Sequence, residues 1–137
     1  MLLTISIQRG IKLKLKQILI VDDQQGIRLL LNEVFKKEGY TTHLAANGFD
    51  ALKIAQTTNL DCVLLDMKIP GMDGLEILTR LKKDNEELPV FMMTAYVEQD
   101  IMDRANELGV AKYFTKPFNI FEVRDEVKKI LEIPEKI

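Results

Sequence analysis

A chain of 137 residues, 47% hydrophobic and 29% charged, has the size and balance of one globular domain with a buried core. Its formal charge of −2 lacks the basic excess of a nucleic-acid-binding domain, and no apolar run reaches the ~18 residues of a membrane span. The single cysteine, Cys62, rules out an internal disulfide; lying in an apolar run, it reads as a buried thiol in a reducing, cytoplasmic compartment.

Residues 1–16 stand apart as an N-terminal extension. Met1 to Ile7 is apolar but short and has no basic leader, so it makes a poor secretory signal. Lys12-Leu13-Lys14-Leu15-Lys16 alternates like a basic surface tail, and the extension is expected to be mobile. The domain proper is expected over 17–132, with 133–137 as a C-terminal tail.

Gln17 to Val21 is a continuous apolar and β-branched run, the mark of a strand buried on both faces. It ends in Asp22-Asp23. Gln24 to Glu38 reads as a helix with Ile27, Leu30, Leu31, Val34 and Phe35 on one side, Lys36 and Lys37 near its negative end, and Gly39 as the stop. Thr41 to Ala45 is a short strand, Asn47-Gly48 a turn, and Phe49 to Thr57 a helix. Asp61 to Leu65 is the third strand, and it delivers Asp66 to a Pro- and Gly-rich turn. Asp73 and Glu76 have capping-box spacing at the head of a helix over Gly74 to Lys83. Leu88 to Met93 is the fourth strand, Glu98 to Leu108 a helix stopped at Gly109, and Val110 to Thr115 the fifth strand. Asn119 opens the last helix, which runs to about Leu131 with Ile120, Val123, Val127 and Ile130 as its stripe.

Five strand–helix pairs in strict alternation specify an α/β fold with a parallel sheet covered on both faces. The flavodoxin-like, doubly wound (βα)5 order 2-1-3-4-5 is expected. In that order the C-terminal ends of strands one and three are neighbours, so Asp22, Asp23 and Asp66 meet there, and Thr94 and Lys116 end the next two strands on the same rim.

Three close carboxylates repel one another, and a hard divalent cation relieves the repulsion. Oxygen donors at a partly hydrated site suit Mg²⁺, with Mn²⁺ as the alternative. The plainer role for Asp22 and Asp23 is to cap the first helix. A carboxylate beside a divalent ion can attack a phosphoryl group and form an aspartyl phosphate. Such a transfer needs a metal on one phosphoryl oxygen, a fixed cation on another and a hydroxyl on the third, roles that Asp23 with the metal, Lys116 and Thr94 can fill.

These residues carry a resemblance. Val21-Asp22-Asp23, Leu65-Asp66-Met67-Lys68-Ile69-Pro70-Gly71-Met72-Asp73-Gly74, Met93-Thr94-Ala95-Tyr96 and Thr115-Lys116-Pro117-Phe118 resemble the receiver domain of bacterial response regulators, from about Lys16 to Leu131. Asp22-Asp23-Gln24, Gly26-Ile27-Arg28 and Leu30 to Phe35 bring the likeness nearest to stand-alone receivers of sporulation phosphorelays. The resemblance implies that Asp66 accepts a phosphoryl group from a phosphohistidine on a sensor histidine kinase. It implies that Asp23, Asp66 and the backbone carbonyl of Lys68 bind Mg²⁺, with Asp22 helping through water, and that Thr94 and Lys116 hold phosphoryl oxygens. Tyr96 falls at the family's aromatic switch position. In a phosphorelay the group passes on to a histidine phosphotransferase. Gln24, Gly26, Ile27, Leu30, Tyr96, Pro117 and Phe118 are expected to border the partner contact.

The expectation is therefore a monomeric phosphoryl acceptor and relay, without turnover in the manner of a conventional enzyme, that contacts neither nucleic acid nor membrane. The chain ends at Ile137, soon after the last helix, so the signal is expected to leave by transfer or through a partner surface. Two readings compete with it: a receiver whose phosphorylated form binds and regulates a target protein directly, and a metal-dependent phosphotransferase acting on small substrates.

Overall fold

The computed structural model describes residues 15–95 and 98–132. Most of the N-terminal extension, Tyr96 and the C-terminal tail lie outside the described residues. Lys16, assigned to the extension, already belongs to the domain, because its carbonyl accepts from Thr41 N at 2.9 Å.

The strands are β1 (Gln17–Val21), β2 (Thr41–Ala45), β3 (Cys62–Asp66), β4 (Val90–Thr94) and β5 (Lys112–Thr115). Between and after them run α1 (Gln25–Lys37), α2 (Gly48–Thr57), α3 (Gly74–Asp84), α4 (Gln99–Glu107) and α5 (Ile120–Leu131). All strand pairs are parallel, in the order β2-β1-β3-β4-β5. This is the flavodoxin-like arrangement expected from the alternation of elements.

The pleat sorts the apolar residues onto two faces. Leu19, Val21, Val63, Leu65, Val90 and Met92 join a core with Ala51, Ile77, Leu78, Leu81 and Ala105 of α2, α3 and α4. Ile18, Ile20, Leu64, Phe91 and Met93 join a second core with Leu31 and Phe35 of α1 and Val123 and Val127 of α5. β1, β3 and β4 are thus covered on both sides, which is why their sequences read as unbroken apolar runs.

Helix ends follow local chemistry. Asn47 accepts from Asp50 N, Asp73 from Leu75 N, and Asn119 from Phe121 N and Glu122 N. Gly39 and Gly109 take φ of 93° and 84°, the left-handed conformation that ends α1 and α4 at little cost for glycine. Three expectations change. Neither Asp22 nor Asp23 caps α1; Gln24 is its N-cap, without a side-chain bond. Leu30 is 50% exposed, because Leu31 and Phe35 define the buried line of α1 and Leu30 lies one position, about 100°, off it. The third and fourth strands begin and end a residue or two later than the runs Asp61 to Leu65 and Leu88 to Met93, so Asp66 and Thr94 are the last residues of their strands.

Candidate functional site

The strand register builds the site. Val21 pairs with Leu65, so the next residues, Asp22 and Asp66, stand side by side at the C-terminal rim. Asp66 pairs with Met93 and Thr94 with Thr115, which sets Lys116 one step beyond. Two backbone bonds fasten the exits: Met67 N to Met93 O at 3.0 Å and Lys116 N to Thr94 O at 2.7 Å.

Asp22, Asp23 and Asp66 place carboxylate oxygens within 4.8 Å of one another. Asp22 is fully buried, Asp66 is 4% exposed, and Asp23 faces solvent. The Lys116 ammonium reaches between the two buried carboxylates, 2.8 Å from Asp22 Oδ2 and 3.1 Å from Asp66 Oδ2. It also donates to Gln24 Oε1 at 3.0 Å. The remaining oxygens are held by backbone: Gln24 N donates to Asp22 Oδ1 at 2.9 Å and Lys68 N to Asp66 Oδ1 at 3.0 Å. Asp66 opens onto a cleft of about 230 Å³ shared with Asp23, Gln24, Lys68, Ala95 and Lys116.

Burial pushes the Asp66 carboxyl above its ordinary range; the Lys68 amide and the Lys116 ammonium pull it back, and the Asp22 charge adds to the rise. Burial alone would lower Lys116, but its bonds to Asp22 and Asp66 outweigh that and hold the ammonium above its usual value. Lys116 is thus a fixed cation. It answers one of three negative charges, and Asp23 forms no ion pair among the described residues. Two charges' worth of unanswered carboxylate, presented as hard oxygen donors beside an open cleft, fits a divalent cation.

Not every expected residue joins this group. Thr94 is buried at the end of β4, but it lines a neighbouring cavity with Met67, Met92, Ile101 and Met102, on the α4 side of the sheet. The Lys68 side chain points outward, its ammonium 3.8 Å from Glu98. Gln24, Gly26 and Leu30 are exposed on and just before α1, and Ile27 is half-buried among them. Pro117 is exposed and Phe118 half-buried after Lys116, with the Lys116–Pro117 bond cis.

Sequence reasoning missed two supports. Gln24 was assigned to a partner surface, yet its side chain binds Lys116. Arg28 Nη1 donates to the Asp22 carbonyl at 2.7 Å; its position one helical turn after Gln24, facing an acidic strand end, was the available signal.

Comparison with known proteins agrees with this geometry. The model of the response regulator receiver domain matches residues 18–128. Sporulation initiation phosphotransferase F of Bacillus subtilis (strain 168) is 58% identical over 86% of this chain and 95% of its own length. A CheY-like response regulator receiver domain protein from Methanospirillum hungatei JF-1 superposes with a TM-score of 0.84 at 28% identity, over 87% of this chain and 95% of that one. The response regulator TrrA of Thermotoga maritima, solved in complex with Mg²⁺ and BeF, has a TM-score of 0.76 at 38% identity, over 85% of this chain and all of that one.

Proposed function

Because the chain belongs to the response regulator receiver domain family, we propose that it carries a phosphoryl group on Asp66, received from a sensor histidine kinase and passed to a histidine phosphotransferase. The observation that carries this reading is the setting of Asp66. One face of its carboxylate opens on a cleft, while Lys116 and the Lys68 amide hold both oxygens in place.

The chemistry balances in one displacement. An Asp66 oxygen forms a bond to phosphorus as the phosphorus–nitrogen bond of the phosphohistidine breaks, and the electron pair returns to the imidazole ring. Catalysis is then mostly alignment and charge stabilisation. Lys116 sits where it neutralises one phosphoryl oxygen. The Thr94 hydroxyl takes another, after turning from its cavity toward the cleft. Asp23, Asp66 and the Lys68 carbonyl would hold Mg²⁺, or Mn²⁺ in its place, with Asp22 helping through water; the ion would supply Lewis-acid stabilisation of phosphoryl charge. Gln24 and Arg28 keep Lys116 and the Asp22 backbone in position.

The relay role, as against direct regulation of a bound target, is supported by similarity to sporulation initiation phosphotransferase F over nearly that protein's whole length. The exchange surface lies on the start of α1 and the loop after β5. Leu29 and Leu30 are 49% and 50% exposed there, next to Ile27, Pro117 and Phe118. Tyr96, outside the described residues, is assigned to the same surface from its motif. Among the described residues no helix is long and apolar enough to cross a membrane, and a cytoplasmic setting fits the buried Cys62.

The test is intact-mass measurement after incubation with acetyl phosphate and Mg²⁺, beside Asp66→Ala, followed by addition of a histidine phosphotransferase. One phosphoryl group that requires Asp66 and then moves to the phosphotransferase is the expected result. A group that stays until it hydrolyses favours the target-binding receiver. No phosphorylation by either acetyl phosphate or a histidine kinase would overturn the acceptor assignment. Leu30→Ala should slow transfer to the phosphotransferase and leave loading by acetyl phosphate unchanged.

A further inference from the structure

An open cleft lies away from the acidic rim, along the seam between α2 and α3. It has a volume of about 600 Å³, and its walls carry Phe49, Leu52 and Lys53 on one side and Arg80, Lys83 and Asp84 on the other. The positions on α2 are spaced as one helical stripe, as are those on α3. Phe49 is 65% exposed, although it stands at the start of a helix that buries Ala51 against the sheet.

A single exposed aromatic is ordinary. Here it comes with a local charge that runs against the whole chain. The protein is net negative, yet this cleft presents Lys53, Arg80 and Lys83 against Asp84. Arg80 is engaged by Glu76 at 2.6 Å, whereas Lys53 and Lys83 have no acidic partner among the described residues. The cleft therefore joins an apolar anchor point to two lysines that form no ion pair among the described residues. It runs beside α2, whose ten residues extend ~15 Å, the length of about three helical turns.

The cleft also reaches the acceptor loop. The Phe49 ring lies over Gly71: a Cβ built on that glycine would stand 3.9 Å from Phe49 Cε2. Gly48 packs more closely still, since a Cβ there would stand 2.8 Å from Ile77 Cδ1 and 3.0 Å from Met72 Cβ. The loop in question, 67–73, is the one whose Lys68 amide holds Asp66. A molecule seated on Phe49 would rest against the segment that positions the acceptor.

We propose that the α2–α3 cleft docks an acidic amphipathic helix of a partner protein, with an apolar side chain against Phe49 and Leu52 and carboxylates toward Lys53 and Lys83. Helix-in-groove recognition needs these parts: a groove of helical length, apolar anchors in it and a charged border. A nucleic-acid strand is the poorer occupant, since it would meet only a few cations on a net acidic protein. The site is distinct from the exchange surface on α1.

The experiment is a titration of the full-length ¹⁵N-labelled protein with a helical peptide of about twelve residues bearing leucines on one face and glutamates on the other. A peptide with lysine for every glutamate and a single-stranded DNA oligonucleotide serve as controls. Saturable shifts at Phe49, Lys53, Arg80, Lys83 and Gly71, absent with the lysine peptide and weakened about tenfold in Phe49→Ser/Lys83→Glu, are expected. All of the substituted side chains are exposed, and Lys53→Glu alone carries the test if the double variant melts early. Shifts that do not saturate, that centre on the acidic rim, or that persist in the variants would overturn the proposal. So would equal binding of the oligonucleotide, or concentration-dependent shifts at these residues without peptide, which would place a second copy of the chain there.

Discussion

Asp66 is held against its own preference. Burial keeps its carboxyl above the ordinary range, so the folded state binds that proton more tightly than the unfolded chain does. The stability that goes with the protonated form is lost as pH rises from the unfolded value through the folded one. In EDTA at neutral pH, Asp66→Asn should therefore melt higher than the parent, and the gap should close as pH falls below the ordinary carboxylate range. The amide can still accept from Lys68 N, and Lys116 keeps Asp22 and Gln24. Thermal melts across pH decide the matter; a variant that melts lower at neutral pH would mean that pairing with Lys116 outweighs the cost of burial. At Cys62 burial dominates, and the neighbouring Asp61 charge adds to it. Its thiol is fully buried and pushed far above its usual range, and the thiolate is the reactive form. An aromatic disulfide reagent should leave it untouched in the native protein and titrate it fully in denaturant.

Elements place these residues, and the tightest placement is at the head of α3. A Cβ on Gly74 would stand 2.7 Å from Met67 Cα and 2.8 Å from the Met67 carbonyl oxygen. Both are backbone atoms of the acceptor loop and cannot swing aside. Gly74→Ala should cost about 1–3 kcal/mol in urea denaturation and slow phosphorylation of Asp66, because relief requires the loop to move. Gly26 makes the contrast: a Cβ there meets nothing within 4 Å, and alanine should be tolerated. Caps and stops of this kind were readable in advance, since Asn119 and Gly39 act through their own chemistry. The exposure of Leu30 was not, because periodicity gives a helix its apolar side but only packing decides which residue at the edge of the stripe is covered. Thr94 is a related case: ending its strand put it on the expected rim, while the cavity it lines on the α4 side of the sheet was not readable from the sequence.

At the scale of the molecule, parallel strands running one way deliver every strand end to one rim, and the 2-1-3 order joins the ends of β1 and β3. That much followed from alternating elements and apolar runs, which is why Asp22, Asp23, Asp66 and Lys116 could be grouped from sequence alone. The bonds that organise them could not, since Gln24, Arg28 and Lys116 are brought together only by the crossover of α1. The resulting charge imbalance gives a prediction about the whole fold. A ligand that binds only the native state stabilises it by RT ln(1 + [L]/Kd), about 2.7 kcal/mol at a hundredfold excess over Kd. Mg²⁺ should raise the melting temperature of the EDTA-treated protein in proportion to the logarithm of its concentration. Asp23 separates that effect from the fold. It is exposed and forms no ion pair among the described residues, so Asp23→Asn should melt with the parent in EDTA and lose most of the rise with Mg²⁺. If the variant gained as much from the ion as the parent, the cation would be bound elsewhere; if it melted well below the parent in EDTA, Asp23 would be serving the fold rather than the site.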